Sequence, residues 1–193
     1  MTGRIINAIA VFCGSNFGAS EAFADGARAL GRTLAQRGVT VVYGGTTKGL
    51  MGVLADAALE AGGAVHGIIT EGLHARGQSH TGLTQHEIAK TLRARKERMI
   101  ELADAFIAMP GGIGTMEELM QVWTMNQLSE IDKPVGLLNT SGFFDAFLGF
   151  VDHMVEAKFL PPAHRRSISV ADNPADLIEQ MKSYQRVDSP KWL

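Results

Sequence analysis

Short apolar runs alternate along the chain with segments of helical spacing, and several of the runs stop at a glycine. That alternation restricts the fold more than any other feature. Residues 8–13 form the first run, closed by Gly14. Residues 21–37 follow with Phe23, Ala27, Leu30 and Leu34 on one helical face, and Gly38 stands where such a helix ends. The run 39–43, a helix over 50–61 closed by Gly62 and Gly63, and the run 65–70 repeat the pattern. A polar loop, EGLHARGQSHTGLT, comes next, and loops of that length often carry function. The spacing then predicts a helix over 87–103, a run over 105–109, a helix over 115–128, a run over 134–139, a helix over 143–158 and a run over 168–171. Pro174 opens a last helix at the position proline favours. The runs are apolar throughout, not alternating with polar residues, which suits a parallel sheet covered on both faces. The expected fold is a single α/β domain over 1–193, doubly wound and Rossmann-like, with a mostly parallel sheet flanked by helices and an irregular tail over 185–193. No internal repeat, low-complexity segment or linker interrupts it.

Composition then excludes several functions. A chain of 193 residues is long enough to bury one full core. Its formal net charge of −2 leaves no basic footprint for nucleic acid. Cys13 is its one cysteine, so no intrachain disulfide forms, and its apolar surroundings describe a buried structural thiol. No apolar stretch reaches the ~20 residues of a membrane helix. The opening MTGRIINAIAVFCGS does not read as a signal peptide. A cytoplasmic protein without membrane contact is expected.

Three glycine-rich turns fall at predicted strand ends: CGSNFG, YGGTTKGLMG and MPGGIGT. Ligands of doubly wound sheets bind there, near the switch in strand order. None of the three has the dinucleotide fingerprint, and GGTTKGLMG lacks the G-K-[ST] ending of a P-loop. In PGGIGT, Gly111, Gly112 and Gly114 allow backbone N–H groups to converge, and Thr115 adds a hydroxyl. A cap on the next helix needs only Thr115. Three glycines point further, to a phosphate cradle.

Two further features stand against this cradle. In the predicted helix 87–103, Ile88, Leu92, Met99 and Leu102 form an apolar stripe with Arg95 in its middle. An unpaired buried guanidinium is very costly, so Arg95 needs either an acidic partner or an anionic ligand. Glu117 and Glu118 open the helix after the cradle, whose buried side is predicted as Met116, Leu119, Met120 and Trp123. Acids in a first turn ordinarily complement the helix dipole. Beside a phosphate site they can instead face the sugar of a nucleotide, where cleavage of an N-glycosidic bond builds positive charge on carbon.

PGGIGTMEE resembles the P-G-G-x-G-T-x-x-E motif of the LONELY GUY family, cytokinin riboside 5′-monophosphate phosphoribohydrolases often labelled lysine decarboxylases. VFCGS, YGGTTKGLMG, HTGLT, the RK before Met99, ADAFIAMPGGIGT and DKPVGLLN fit the same family in order. The resemblance implies hydrolysis of a nucleoside 5′-monophosphate to free base and ribose 5-phosphate, without metal or cofactor, by a homodimer with its site near the subunit interface. It assigns catalysis to Arg95 and Glu118 with Glu117 alongside, and the phosphate to Gly111, Gly112, Gly114 and Thr115, with Ile113 among the substrate-binding residues. Gly14, Ser15, Gly44, Gly45, Gly49 and Met51 are expected to line the site, with Lys96, Met99 and Thr124 near the ligand. The chain departs from the family at Leu92 and Arg93, where Met and His are usual, and at Thr46, usually a third glycine. These changes bear on the choice between AMP and an N6-substituted adenine nucleotide. The alternative is a non-catalytic nucleotide sensor or carrier of the same fold. No segment argues for a pyridoxal phosphate lysine. His66, His74, His80 and His86 are scattered, which argues against a metal and for loop and surface positions, with His80 able to approach the site.

Overall fold

The computed structural model of the protein describes residues 3–187. Seven strands form one sheet: β1 (Ala8–Phe12), β2 (Thr40–Tyr43), β3 (Val65–Thr70), β4 (Gln85–Ala89), β5 (Ala105–Ala108), β6 (Val135–Leu138) and β7 (Ile168–Ala171). Their order is β4-β3-β2-β1-β5-β6-β7, and every neighbouring pair is parallel. The helices are α1 (Glu21–Gln36), α2 (Gly49–Glu60), α3 (Glu71–Ala75), α4 (Leu92–Leu102), α5 (Ile113–Gln127), α6 (Asp145–Glu156), α7 (Pro162–Arg166) and α8 (Pro174–Lys182).

Strand side chains alternate between two cores, as the pleat requires. Ile9, Val11, Val41, Tyr43 and Ile107 pack with α1, α2 and α8. Ala10, Phe12, Val42, Phe106 and Ala108 pack with α4, α5 and α6. The chain steps outward from β1 to β4, returns through α4 and resumes at β5 beside β1. Right-handed crossovers put the two sets of helices on opposite faces, and the crevice opens where the order reverses, between β1 and β5. The three glycine turns leave β2, β1 and β5, three adjacent strands, so they meet at one end of the sheet.

Several expectations change. Residues 87–89 belong to β4, not to a helix; Thr91 caps α4 with its side-chain oxygen accepting from the Ala94 N–H at 3.1 Å. Ile88 therefore stands on an edge strand and Leu92 at a helix start, and both are exposed. The stripe around Arg95 reduces to Met99 and Leu102. α5 begins at Ile113, so Gly112 is its N-cap, Thr115 lies inside it, and Glu117 and Glu118 sit past its first turn. Met120, expected on the buried side, is exposed. His66 is buried on β3, its Nε2 2.8 Å from a carboxylate oxygen of Glu87. α3 and α7 are short helices that the spacing does not predict. Residues 185–187 have no regular structure, and the rest of the expected tail lies outside the described residues. Among the described residues no helix is long and apolar enough to cross a membrane.

Candidate active site

The three turns lock together through their backbones. The Gly14 N–H donates to the Pro110 carbonyl at 3.0 Å, joining the β1 and β5 turns, and the Leu50 N–H donates to the Gly14 carbonyl at 3.0 Å, tying in α2. Close approach explains the glycines. A Cβ on Gly111 would stand 2.1 Å from Thr115 Oγ1 and 2.9 Å from the Gly14 nitrogen. A Cβ on Gly49, whose φ is +54°, would stand 2.3 Å from the Ser15 carbonyl carbon. Gly112 and Gly114 are different: among the described residues, a Cβ on either meets nothing within 4 Å. They face open space at the N-terminus of α5, whose N-cap Gly112 has no side chain to satisfy the first amides. That end of the helix presents N–H groups and the positive pole of its dipole to a cleft.

The cleft has a volume of about 280 Å³ and is lined by Cys13, Gly14, Ser15, Met51, Leu92, Arg95, Glu117 and Glu118 with the Gly112–Thr115 segment. Arg95 enters it from α4 and Glu118 from α5. Their side chains are 11% and 13% exposed, and Arg95 Nη2 donates to Glu118 Oε1 at 3.3 Å. Gly44 makes room for the guanidinium, since a Cβ there would lie 2.6 Å from Arg95 Nη2. Arg95 Nε is buried and has no hydrogen-bond partner among the described residues. One residue earlier on α5, Glu117 pairs with Lys96.

Each acid thus has its own cation, but their surroundings differ. Glu117 is half exposed. Burial pushes the Glu118 carboxyl above the ordinary carboxylate range; Arg95 opposes this, Glu117 adds to it, and Lys96 opposes it. Cys13 is raised as well, first by burial and then by the Glu118 charge, which keeps it a neutral thiol. A buried carboxylate with raised basicity, beside a guanidinium with a free donor and a row of helix amides, can bind an anion, steady a developing cation and take a proton.

The structure brings most of the expected residues together and separates a few. Gly45 packs against β3 behind the cleft, with a φ of +69°. Met99 is buried in the core. Thr124 is exposed and borders a separate hollow of about 140 Å³ with Met120, Trp123, Gln127, Met154, Phe159 and Leu160. The loop of His80 reaches the second turn, where the His80 N–H donates to the Gly45 carbonyl at 2.9 Å. Its ring is held elsewhere: Nδ1 accepts from the Gly82 N–H, and Nε2 lies 2.9 Å from Asp56 Oδ1. Arg93, one of the two departures at the start of α4, points away and pairs with Glu97. Cys13 lines the cleft although sequence reasoning gave it no part there, and Leu92, noted only as a departure bearing on the base, lines it too. For Leu92 the available signal was its place one turn before Arg95.

Residues 51–181 match a family model described as possible lysine decarboxylase. A probable cytokinin riboside 5′-monophosphate phosphoribohydrolase of rice, LOGL6, is 42% identical over 178 residues, covering 91% of this chain and 70% of its own. The Arabidopsis thaliana cytokinin riboside 5′-monophosphate phosphoribohydrolase LOG5 is 40% identical over 182 residues, covering 93% and 79%. Among solved structures, the molybdenum cofactor binding protein of Rippkaea orientalis superposes with a TM-score of 0.68 at 24% identity, covering 91% of this chain and 95% of its own. At that identity the likeness concerns the fold.

Proposed function

This chain belongs to the LONELY GUY family, described also as possible lysine decarboxylases, and from that premise we propose that it is a phosphoribohydrolase cleaving the N-glycosidic bond of a nucleoside 5′-monophosphate. The substrates proposed are cytokinin riboside monophosphates and AMP, and the products are free base and ribose 5-phosphate. One observation carries the reading: Arg95 and Glu118, nearly buried and touching, sit in the cleft onto which the amides of α5 open.

The 5′-phosphate takes the N–H groups at the start of α5, where its charge complements the dipole. The anomeric carbon then lies over Glu118. As the bond from that carbon to the base nitrogen breaks, its electron pair leaves with the base and positive charge grows on the sugar. The Glu118 carboxylate stabilises that charge and accepts a proton from the attacking water, whose oxygen bonds to the anomeric carbon. The departing base nitrogen takes up a proton. Arg95 keeps Glu118 in place and presents a second donor to the sugar or phosphate oxygens. Glu117, neutralised by Lys96, does not repel the phosphate. The cradle and the acids coexist because the acids begin past the first turn of α5.

The protein is further proposed to act as a cytoplasmic homodimer. Exposed Met120 and Phe159 beside the Thr124 hollow support an association face, and the single buried Cys13 suits a reducing compartment. The activity is tested by incubating the protein with AMP and with isopentenyladenosine monophosphate and resolving the products by chromatography. Free base with an equal amount of ribose 5-phosphate is expected. Tight nucleotide binding with no base released would point to a carrier.

A further inference from the structure

We propose that His80 is a positioning residue: it fastens the segment between α3 and β4 across the second glycine turn as a strap, and so seats Arg95. The proposal rests on the nucleotide-hydrolysis reading above. It starts from how lightly Arg95 is held. Among the described residues its guanidinium makes one hydrogen bond, at 3.3 Å to Glu118, and its Nε makes none. Its place is therefore set by the wall it rests on. Gly44 and Met51 form that wall: a Cβ on Gly44 would lie 2.6 Å from Arg95 Nη2 and 3.0 Å from the Met51 sulfur. A glycine turn has little stiffness of its own, so something else must hold this one in shape.

Segment 76–84 supplies the stiffness. The His80 N–H donates to the Gly45 carbonyl at 2.9 Å, and Ser79 pairs with Thr46 in an antiparallel bridge. Thr46, standing where the family usually has a third glycine, is buried, and the Tyr43 hydroxyl donates to its carbonyl at 3.3 Å. On its other side Gly45 rests on β3: a Cβ there would lie 3.2 Å from Ile69 Cβ and 3.3 Å from the carbonyl carbon of Gly67. The turn is thus gripped between β3 and the strap. Further along, Leu83 fills the space over Gly67, and Thr84 Oγ1 accepts from the Val65 N–H at 3.0 Å. The His80 ring is the fastener. Its side chain is 9% exposed, and Nδ1 accepts from the Gly82 N–H at 3.0 Å. Acceptance there leaves the ring proton on Nε2, which donates it to Asp56 Oδ1 at 2.9 Å. One ring therefore closes its own segment and ties it to α2, the helix that also carries Met51. His80 does not line the cleft, so it acts through Gly44, Gly45 and Arg95 and not on the nucleotide.

Two amides each reproduce half of the ring: an asparagine oxygen stands in for Nδ1, and a glutamine nitrogen for Nε2. The test measures kcat and KM for AMP at pH 7 with the parent protein, His80→Gln, His80→Asn and Asp56→Ala. NMR of the same proteins follows the Arg95 Nε–H signal and the exchange rate of the residue 80 amide. His80→Asn and Asp56→Ala, which lose the tie to α2, are expected to lower kcat by about ten- to a hundredfold, the scale of a small misplacement of a reacting group, with KM within about threefold because the α5 amides still hold the phosphate. In both, the Arg95 signal should move and the residue 80 amide should exchange faster. His80→Gln keeps the tie and should leave kcat, signal and exchange close to the parent. A glutamine variant as impaired as the asparagine one, a loss carried by KM alone, or an unchanged kcat with only a lower melting point overturns the proposal. If the parent releases base from no nucleoside monophosphate, the hydrolase reading fails on its own and the NMR decides the strap. Arg95 and residue 80 signals that move together in His80→Asn and Asp56→Ala but not in His80→Gln sustain it; signals that stay in place overturn it.

Discussion

Replacing Glu118 with glutamine separates a catalytic carboxylate from a structural one, because the two roles predict opposite changes in stability. The side chain is 13% exposed, and its contact with Arg95 is a single hydrogen bond of 3.3 Å. Burial, the largest influence on its carboxyl, favours the neutral form, and the charge of Glu117 adds to that. With its folded pKa raised, Glu118 binds its proton more readily in the native state than in the unfolded chain. Its contribution to stability is complete below the unfolded pKa and is lost as pH rises through the folded pKa. At neutral pH the parent therefore carries a disfavoured anion, which a neutral isostere relieves. Glu118→Gln should leave the thermal midpoint at pH 8 equal to or above that of the parent, and the difference should shrink at pH 4. Its kcat/KM should fall by roughly 10²–10⁴, the contribution of a positioned general base, or about 3–5 kcal/mol of barrier. Thermal melts at the two pH values and timed base release measure both. If the acid were instead half of a stabilising buried pair, its loss would cost about 3–5 kcal/mol, a fall in midpoint of roughly 10 °C for a chain of this size. That result, or activity surviving the substitution, refutes the reasoning.

Three other substitutions follow from the same geometry. Gly44→Ala places a methyl group where Arg95 Nη2 now lies, 2.6 Å from the new carbon, so activity should fall at least tenfold while the melt changes little. Gly114→Ala stands in the first turn of α5 with free space around it; the helix should gain up to about 1 kcal/mol, while KM for the nucleotide rises as the methyl group enters the anion site. Glu117→Gln removes a charge that raises the Glu118 carboxyl, so the acid limb of the pH–rate profile should move to lower pH, as read from kcat/KM between pH 4 and 8.

Much of this arrangement is legible in the residues before any coordinates. The runs 65–70 and 168–171 match β3 and β7, and Pro174 does start α8, because these segments carry strong local signals that agree with their tertiary setting. Strand β4 is hidden for the opposite reason. It lies at the sheet edge, and its QHEIA is mostly polar and more than half exposed, so pairing with β3 makes it a strand where its own pattern does not. The charged residues of α4 extend the same helical pattern backward across it. Arg95 stood out as a misplaced charge in a stripe that was half strand; the buried position survives because Met99, four residues on, is on the core face of α4. The spacing places the start of α5 two residues late because Gly114 disfavours helix, and a glycine tolerated in the first turn is what leaves the amides open. Met99 and Thr124 share elements with cleft residues, but their direction around those helices depends on packing that spacing alone does not resolve.

The account stands on one arrangement, helix amides holding a 5′-phosphate so that Arg95 and Glu118 meet the anomeric carbon. The most direct test is the rate of base release from AMP set against the rate from adenosine under the same conditions. Adenine released from AMP, with adenosine slower by at least a hundredfold, is the predicted result. Equal rates on the two, or no base released from any nucleoside monophosphate, would contradict it.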